Sequence, residues 1–491
     1  MSSGSVTSQA SVAVRAAGSA MWNVAQQAVQ TVLGFATAAA LTIWLRPDDY
    51  GVFSMAATIV AFIGIFGDAG LTQTLVRRPE LDEVVEASGF VMAMLAGLLL
   101  TAAALLAAPV LGLYFGRRDV GVMAAVLAAN FLITAPGRVS SAKLMRQLRY
   151  RALSAIGLTS SVIASALGIM AASRGMGGWS LALSFLAAPA ILSVLYWATD
   201  PPAVGRARFS RPVARELSAF GAKLSGFTLA VSIAALPTTV LVGRFAGPAA
   251  LGLFSMGMRL IAIPTSKIGG AFSAVFLPAI GKVAPDERRR SYLLTLRTLT
   301  MFTAPVALGI LAVADELVTV LPPSWSGLAP TLKIFAVGAV IESLGPMPTA
   351  LLTAEGRSDT VFRLGLFVIP WAWLVFGVGA WMGTLSAFAV AWSVMNIVGG
   401  IVFLSVAAGN RKEAIRVLAS LIRPIVAAVL MCLGVTLLLR VTGTSGRRSG
   451  LLVGIPAGVL LHYGLCSVLL PAETRRAVKL IRSALGRGNA P

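Results

Sequence analysis

The sequence predicts an all-α polytopic membrane protein with about fourteen transmembrane helices, arranged as two six-helix lobes in parallel repeat plus two C-terminal helices. Three observations predict it. Of the residues, 57% are hydrophobic and only 12% charged, and the mean hydropathy of +0.85 lies outside the range of soluble globular chains. Apolar runs of about 20 residues, enough to cross a bilayer, recur along the whole chain between short polar loops. Finally, Gly51-Val52-Phe53-Ser54-Met55-Ala56 returns as Gly252-Leu253-Phe254-Ser255-Met256-Gly257, an offset of 201 residues.

Breaks at charges, Gly and Pro place the spans at 20–45, 50–76, 87–115, 119–137, 152–173, 178–199, 217–243, 250–281, 292–314, 327–353, 361–380, 384–408, 414–439 and 450–470. The first run is too long for the apolar part of a signal peptide and has no small-residue cleavage site after it, so it reads as a retained span. The two repeat copies open the second and eighth spans. An even number of spans separates them, so both halves are expected to have the same orientation. The chain therefore divides into an N-terminal tail (1–19), a first lobe (20–199), a basic inter-lobe loop (200–216), a second lobe (217–408), two appended helices (409–471) and a basic tail (472–491). No loop has room for a soluble catalytic domain.

Cations crowd alternate loops. Arg138, Lys143, Arg146, Arg149 and Arg151 share one even-numbered loop, and Arg206, Arg208, Arg211 and Arg215 another, while the odd-numbered loops hold far fewer. The positive-inside rule then puts both termini in the cytoplasm. The formal charge of +21 comes from this pattern and not from a basic face laced with aromatics, so a nucleic-acid partner is not expected. Trp22, Trp44, Trp179, Trp197 and Trp381 fall at predicted span ends, where such rings prefer the interface; Trp371, Trp373 and Trp392 do not. Cys432 and Cys466 lie near opposite ends of the last two spans, so neither a disulfide nor a metal site is expected.

Within the spans, the residues that could carry chemistry are few. Arg259 lies roughly 14 Å below the outer surface, counting from the break at Gly247-Pro248, and Lys267 lies deeper. Eight residues apart, they stand about 80° apart around an ideal helix and can face one cavity. Lys223 lies near the inner end of the seventh span. Ionisable groups at such depth usually face a bundle interior or a water-filled cavity, and here they suit an anionic substrate. The first span carries a polar stripe, Asn23, Gln26, Gln27, Gln30, Gly34 and Thr37, whose amides suit either a cavity wall or packing between helices. Of the carboxylates, Glu342 can balance Arg259 or carry a coupling proton, and Asp68 can bind a cation, tether Arg77 or Arg78, or stabilise one conformational state. The lone histidine, His462, reads as a packed helix-interface residue rather than a proton relay. No nucleophile–base pair, Walker A loop or metal-ligand cluster is present. No catalytic residue, metal or cofactor is expected, and the chain does not read as an enzyme.

Several segments carry a family resemblance. Tyr50 to Ala56, FGDAGLTQTLVRR (66–78), KLMRQLRYRALS (143–154), GMGGWSLAL (175–183), LPPSWSGLAPTLKIFAV (321–337) and LLTAEGR (351–357) resemble the polysaccharide transport family of oligosaccharide flippases, within the multidrug/oligosaccharidyl-lipid/polysaccharide flippase superfamily. The resemblance covers roughly residues 20–410. It implies two lobes around a central cavity that opens alternately inward and outward. It also implies a polyprenyl-pyrophosphate-linked oligosaccharide as cargo, a place in a bacterial inner membrane, a monomeric transport unit, and a polysaccharide polymerase or export machinery as possible partners. A pyrophosphate would be met by Arg259, Lys267 and Lys223. The alternatives are an ion-coupled multidrug exporter of the same superfamily, which would favour cavity carboxylates; a membrane-embedded glycan polymerase or glycosyltransferase, which would need a larger extramembrane region; and a scaffold that recruits partners through its basic loops.

Overall fold

The computed structural model describes residues 26–27, 29–68, 71–78, 81–203, 209–215, 217, 232–280 and 284–475. Among them every regular element is helical. Ten helices are long and apolar enough to cross a membrane, or eleven if Arg118–Thr134 and Gly137–Arg146, bent by 46°, form one span. The protein is thus a multi-pass membrane protein. The three other expected spans fall on the shorter apolar helices Val29–Leu41 and Ser232–Phe245 and on the Pro47–Asp68 helix. Fourteen spans is therefore an expectation of the sequence, not a count of these helices.

The chain forms two compact units, Met1–Gly252 and Leu253–Pro491. In the first, the Glu83–Phe115 helix starts at Asp82, whose carboxylate accepts the Val85 N–H at 2.7 Å, and ends at Gly116, whose φ of 66° is left-handed. It packs against Pro47–Asp68 and Arg118–Leu127. The Tyr150–Ser173 and Gly178–Thr199 helices lie along each other and are tied by small polar residues. Ser160 Oγ donates to the Ala188 carbonyl at 2.7 Å, and Ser184 Oγ to the Ala164 carbonyl at 2.9 Å. Small residues at such seams let backbones approach where lipid supplies no hydrophobic drive. The GMGGWSLAL segment is anchored too: the Gly178 N–H donates to Asp49 Oδ1 at 3.0 Å, and the Arg46 N–H donates to Asp49 Oδ2 at 2.9 Å.

Among the described residues of the second unit, two of the apolar centres are aromatic-rich. Phe254, Phe335, Phe376 and Trp392 form one, with Phe335 4.9 Å from Phe254 and 4.8 Å from Trp392, ring centre to ring centre. Trp325 is fully buried as well, which explains why the LPPSWSGLAP segment reads as a distinct block: its 3-10 turn at Pro323–Trp325 buries the largest side chain available. The other centre gathers Phe276, Tyr292, Leu296, Leu344, Met347 and Leu404. The last two helices, Arg411–Val441 and Ser449–Leu469, pack on each other and on Pro285–Ala312.

The repeat is structural. Pro47 and Pro248 open their helices, and Tyr50, Met55, Leu251 and Met256, two from each copy, are all buried. Each copy also places its glycine against the other's proline. A methyl group on Gly51 would overlap the Pro248 carbonyl, and one on Gly252 would overlap the Pro47 carbonyl. The pairs 47/248 and 51/252 are related by the same offset of 201 residues seen in the sequence, and all four residues belong to the first unit. Gly51→Ala and Gly252→Ala are each expected to destabilise the protein by about 1–3 kcal/mol through backbone overlap. The double variant should lose less than the sum, because separating the helices once relieves both clashes. Gly270→Ala, where no atom lies within 4 Å of the added carbon, serves as the control. Thermal unfolding in detergent, followed by tryptophan fluorescence, measures all four proteins.

Candidate functional site

The polar stripe of the first span is partly committed to packing. Gln30 Nε2 donates to the Gly157 carbonyl at 3.2 Å and to Ser161 Oγ at 3.1 Å, both on the Tyr150–Ser173 helix. Gly157 leaves the space for this, and Gln26 lies against the same glycine. Gln27 is exposed, and Thr37 Oγ1 turns back to the Leu33 carbonyl at 2.7 Å. Of the two roles open to these amides, helix–helix packing is the one Gln30 fills. Asn23 and Lys223 lie outside the described residues. Asp68 is the last residue of its helix, and its side chain also lies outside them.

The Gly247–Ile280 helix presents two chemically different faces. Thr265 and Gly269, one turn apart, meet a break in the neighbouring span: the Leu328–Glu342 helix stops, residues 343–345 turn, and Pro346–Ala354 resumes. Pro346 and Pro348 supply the physical cause, since neither has an N–H to continue the helical ladder. The break is packed closely. A side chain at Gly269 would overlap the Ser343 carbonyl, and Ser343 Oγ donates to the Val340 carbonyl at 2.8 Å and lies 2.9 Å from Thr303 Oγ1. Thr265 Oγ1 is 3.3 Å from Glu342 Oε2. Glu342 therefore stands at a helix terminus beside a hydroxyl and does not balance Arg259.

Arg259 is half-buried and, among the described residues, makes no ion pair or side-chain hydrogen bond. Lys267 is exposed and likewise has no ion pair. Two residues from Thr265, it points about 200° away from it around the helix. The Gly247–Ile280 helix thus offers two uncommitted cations away from the face that packs on Glu342. A guanidinium keeping all its donors can take a phosphate bidentately.

Two clusters of charge in the first unit are paired, a pattern the sequence reasoning missed. Lys143 Nζ lies 3.1 Å from Glu86 Oε2 and 2.9 Å from Asp200 Oδ1, with all three side chains less than a fifth exposed. Lys143 Nζ also donates to the Pro201 carbonyl at 3.0 Å, and Glu86 Oε2 accepts the Ala203 N–H at 2.9 Å. Ser88 Oγ accepts the Ser210 N–H at 3.0 Å. The segment after the Gly178–Thr199 helix is thereby pinned to the first unit. The available signal was Glu86, set inside an apolar run after Asp82 and Glu83, which needs a cation such as Lys143 of the basic loop. At the opposite end of this unit, Arg117 bridges Asp119 at 2.8 Å and Asp48 at 3.1 Å, and the hydrogen bond to Asp119 is the main reason its pKa is raised. Among the described residues, no group of His, Cys, Asp and Glu could hold a metal. His462 Nε2 lies 2.9 Å from the Met301 carbonyl and so joins two helices, as a packing residue does.

A family model described as polysaccharide biosynthesis protein matches residues 41–327, more than half of the chain. The chain belongs to the polysaccharide biosynthesis protein family. The matched stretch contains both repeat copies, Lys143 and Trp325. Across nearly the whole length, the chain is 26% identical over 473 residues to the succinoglycan biosynthesis transport protein ExoT of Rhizobium meliloti (strain 1021), covering 94% of each chain. It is 26% identical over 356 residues to the teichuronic acid biosynthesis protein TuaB of Bacillus subtilis (strain 168), covering 69% of this chain and 72% of that one. Among solved structures it is similar to the lipid II flippase MurJ in an inward closed conformation, with a TM-score of 0.72 at 12% identity over 91% of this chain and 98% of that one. At that identity the likeness is one of fold, and it places this family member in an architecture that the MurJ chain shares almost end to end.

In this setting Lys143→Met is expected to destabilise the first unit by about 3 kcal/mol or more, because it strands two poorly exposed carboxylates. Lys143→Arg should recover part of the loss. Chemical denaturation of the purified protein in detergent, read by circular dichroism, tests both.

Proposed function

We propose that this protein is a flippase that moves a polyprenyl-pyrophosphate-linked oligosaccharide across a bacterial inner membrane by alternating access, in the assembly of an exopolysaccharide or another surface glycan. Membership of the family and end-to-end similarity to ExoT support the reading. The observation that carries it to a mechanism is Arg259, a half-buried guanidinium on an apolar helix with no ion pair among the described residues. An ionised side chain at that depth costs at least about 2.5–3.5 kcal/mol, a cost that an anionic ligand offsets when it arrives. In this reading Arg259 grips the pyrophosphate, and Lys267 and Lys223 hold positive charge along its route. Asn23, Gln26, Gln27 and Gln30 form the polar wall on the sugar side, with Gln30 braced against Gly157 and Ser161.

Glu342 is the candidate coupling group. It faces Thr265 at a helix break, and uptake of a proton or a cation there would change how the two helix segments meet. Asp68 at the end of its helix is the second candidate. The working unit is a monomer with both termini in the cytoplasm, delivering cargo to a polymerase or export machinery on the far side.

The test is transport itself. In proteoliposomes, a fluorescent polyprenyl-pyrophosphoryl oligosaccharide is scored for protection from a membrane-impermeant quencher. Arg259→Ala is expected to lower the initial rate at least about tenfold, the worth of roughly one charge-assisted hydrogen bond, with Arg259→Lys intermediate. Rates equal to wild type for Arg259→Ala would remove Arg259 from the site. Depletion in cells should accumulate the lipid-linked repeat unit on the cytoplasmic leaflet, whereas accumulation of shorter precursors would point to a biosynthetic enzyme.

A further inference from the structure

A groove of about 540 Å³ runs between the Pro285–Ala312, Arg411–Val441 and Ser449–Leu469 helices. Its size is that of pockets that hold small ligands. Met301, Pro305, Met431, Val435 and Gly458 line it. His462, also on the wall, spends Nε2 on the Met301 carbonyl, so the surface offered to a ligand is apolar. Glycines on its walls let the helices approach closely: a methyl group on Gly454 would crowd Val313. Gly309, Gly454 and Gly458 line it from two of the helices, and a methyl group added at Gly458 would lie 3.5 Å from Val435 Cγ2 and 3.8 Å from Met431 Sδ.

One end of the groove is closed by Met301, Ala427, Cys466 and Leu470, and beyond that floor stand three arginines. Arg297 is one turn before Met301, Arg423 one turn before Ala427, and Arg475 follows Thr474, which itself lines the groove. All three lie toward the same end, since the first two helices run away from it and the third runs toward it. Arg297 is 3.5 Å from Glu473, which offsets one charge. Arg423 and Arg475 are exposed and make no ion pair among the described residues. Depth agrees with charge. Arg423 lies eighteen residues before Val441, the end of its helix, about 27 Å along the axis, close to the ~30 Å of a hydrocarbon core. With Val441 at one edge of the hydrocarbon core, the Arg423 backbone lies just inside the other edge, nearer to it than the expected start of the span at residue 414 implies. Its long side chain reaches the phosphates by snorkelling.

We propose that this groove is a binding site for an anionic phospholipid, with an acyl chain between the three helices and the phosphate held by Arg423, Arg475 and Arg297. The lipid fastens the last two helices, which lie outside the repeat, to the Pro285–Ala312 helix of the same unit. Charge complementarity selects this occupant: three guanidiniums against one carboxylate favour a phosphate diester with net negative charge over a zwitterion. The site is independent of the proposed cargo and of the direction in which the chain is inserted.

Native mass spectrometry of the full-length protein, after equilibration with mixed phosphatidylglycerol and phosphatidylcholine micelles, tests it. Wild type is expected to retain phosphatidylglycerol preferentially and to melt at a higher temperature with it than with phosphatidylcholine. Arg423→Gln with Arg475→Gln, which leaves the Arg297–Glu473 pair intact, should weaken phosphatidylglycerol retention roughly tenfold and leave phosphatidylcholine retention unchanged. Arg411→Gln with Lys412→Gln, at the far start of the same helix, should change neither. Gly458→Leu should fill the groove and lower retention of both lipids. Equal retention of the two lipids by wild type overturns the proposal without any variant having to fold. Loss from the Arg411/Lys412 variant equal to that from the Arg423/Arg475 variant overturns it as well, as does displacement of phosphatidylglycerol by a polyprenyl phosphate at equal concentration, which would assign the groove to an isoprenoid chain.

Discussion

Two helix starts meet backbone to backbone in this protein, and the contact constrains both residue types that make it. Gly51 and Gly252 have no room for a Cβ against the Pro248 and Pro47 carbonyls. The prolines are equally specified. At the first turn of a helix the N–H has no intrahelical partner, and in an apolar medium an orphaned donor is costly. Proline has none to lose and arrives with a helical φ. Close approach of a carbonyl to a glycine Cα is also where weak Cα–H···O contacts form between helices. Near the crossing, Met55 and Leu251 are both buried and both lie against Gly243. A motif that reads as Gly-apolar-Phe-Ser-Met is therefore a packing specification, written twice.

Against this frame the charges fall into two groups. Lys143, Glu86 and Asp200 are little exposed but mutually satisfied, with three ionised groups and two backbone groups of the following segment within hydrogen-bonding distance. Arg117 likewise holds Asp48 and Asp119 together. These clusters fix connections at the two ends of the first unit, and their cost in lost hydration is met within the protein. Arg259 and Lys267 are different in kind, since neither has an ion pair among the described residues. Structural ion pairs draw their compensation from the fold, whereas an uncommitted cation within an apolar helix must find it in water, lipid phosphate or a ligand.

What the sequence made legible follows from which signals are local. Apolar length marked the helices of both units, and a six-residue repeat located the crossing of Gly51 and Gly252. The motif around Trp325 marked a segment whose core role the structure explains. Partners distant in sequence were not legible. Glu342 read as either a counter-ion for Arg259 or a coupling group, and the helix break at Pro346 and Pro348 sets it beside Thr265, away from the first of these. Gln30 read as cavity or packing with equal physical justification until Gly157 and Ser161 were found opposite it. Periodicity gives the face of a helix but not what stands across from it, and Lys143 was hidden for the same reason, as one cation among many in a loop.

The repeat also shows where the two halves parted. Applying the offset of 201 residues, Arg259 corresponds to Thr58 and Lys267 to Phe66. Thr58 Oγ1 donates to the Ser54 carbonyl one turn back at 2.9 Å, so that position is neutral and satisfied by its own helix. Phe66 is exposed and apolar, as suits a span in contact with lipid. The first copy proves that the crossing, the buried Met and the packed aromatic can all be kept with no cation at either place. The features the two copies share therefore do not depend on a cation at that position. Arg259 is thus a cation of one copy alone, half-buried and without an ion pair among the described residues, and this asymmetry is what the proposed role in binding an anionic ligand accounts for.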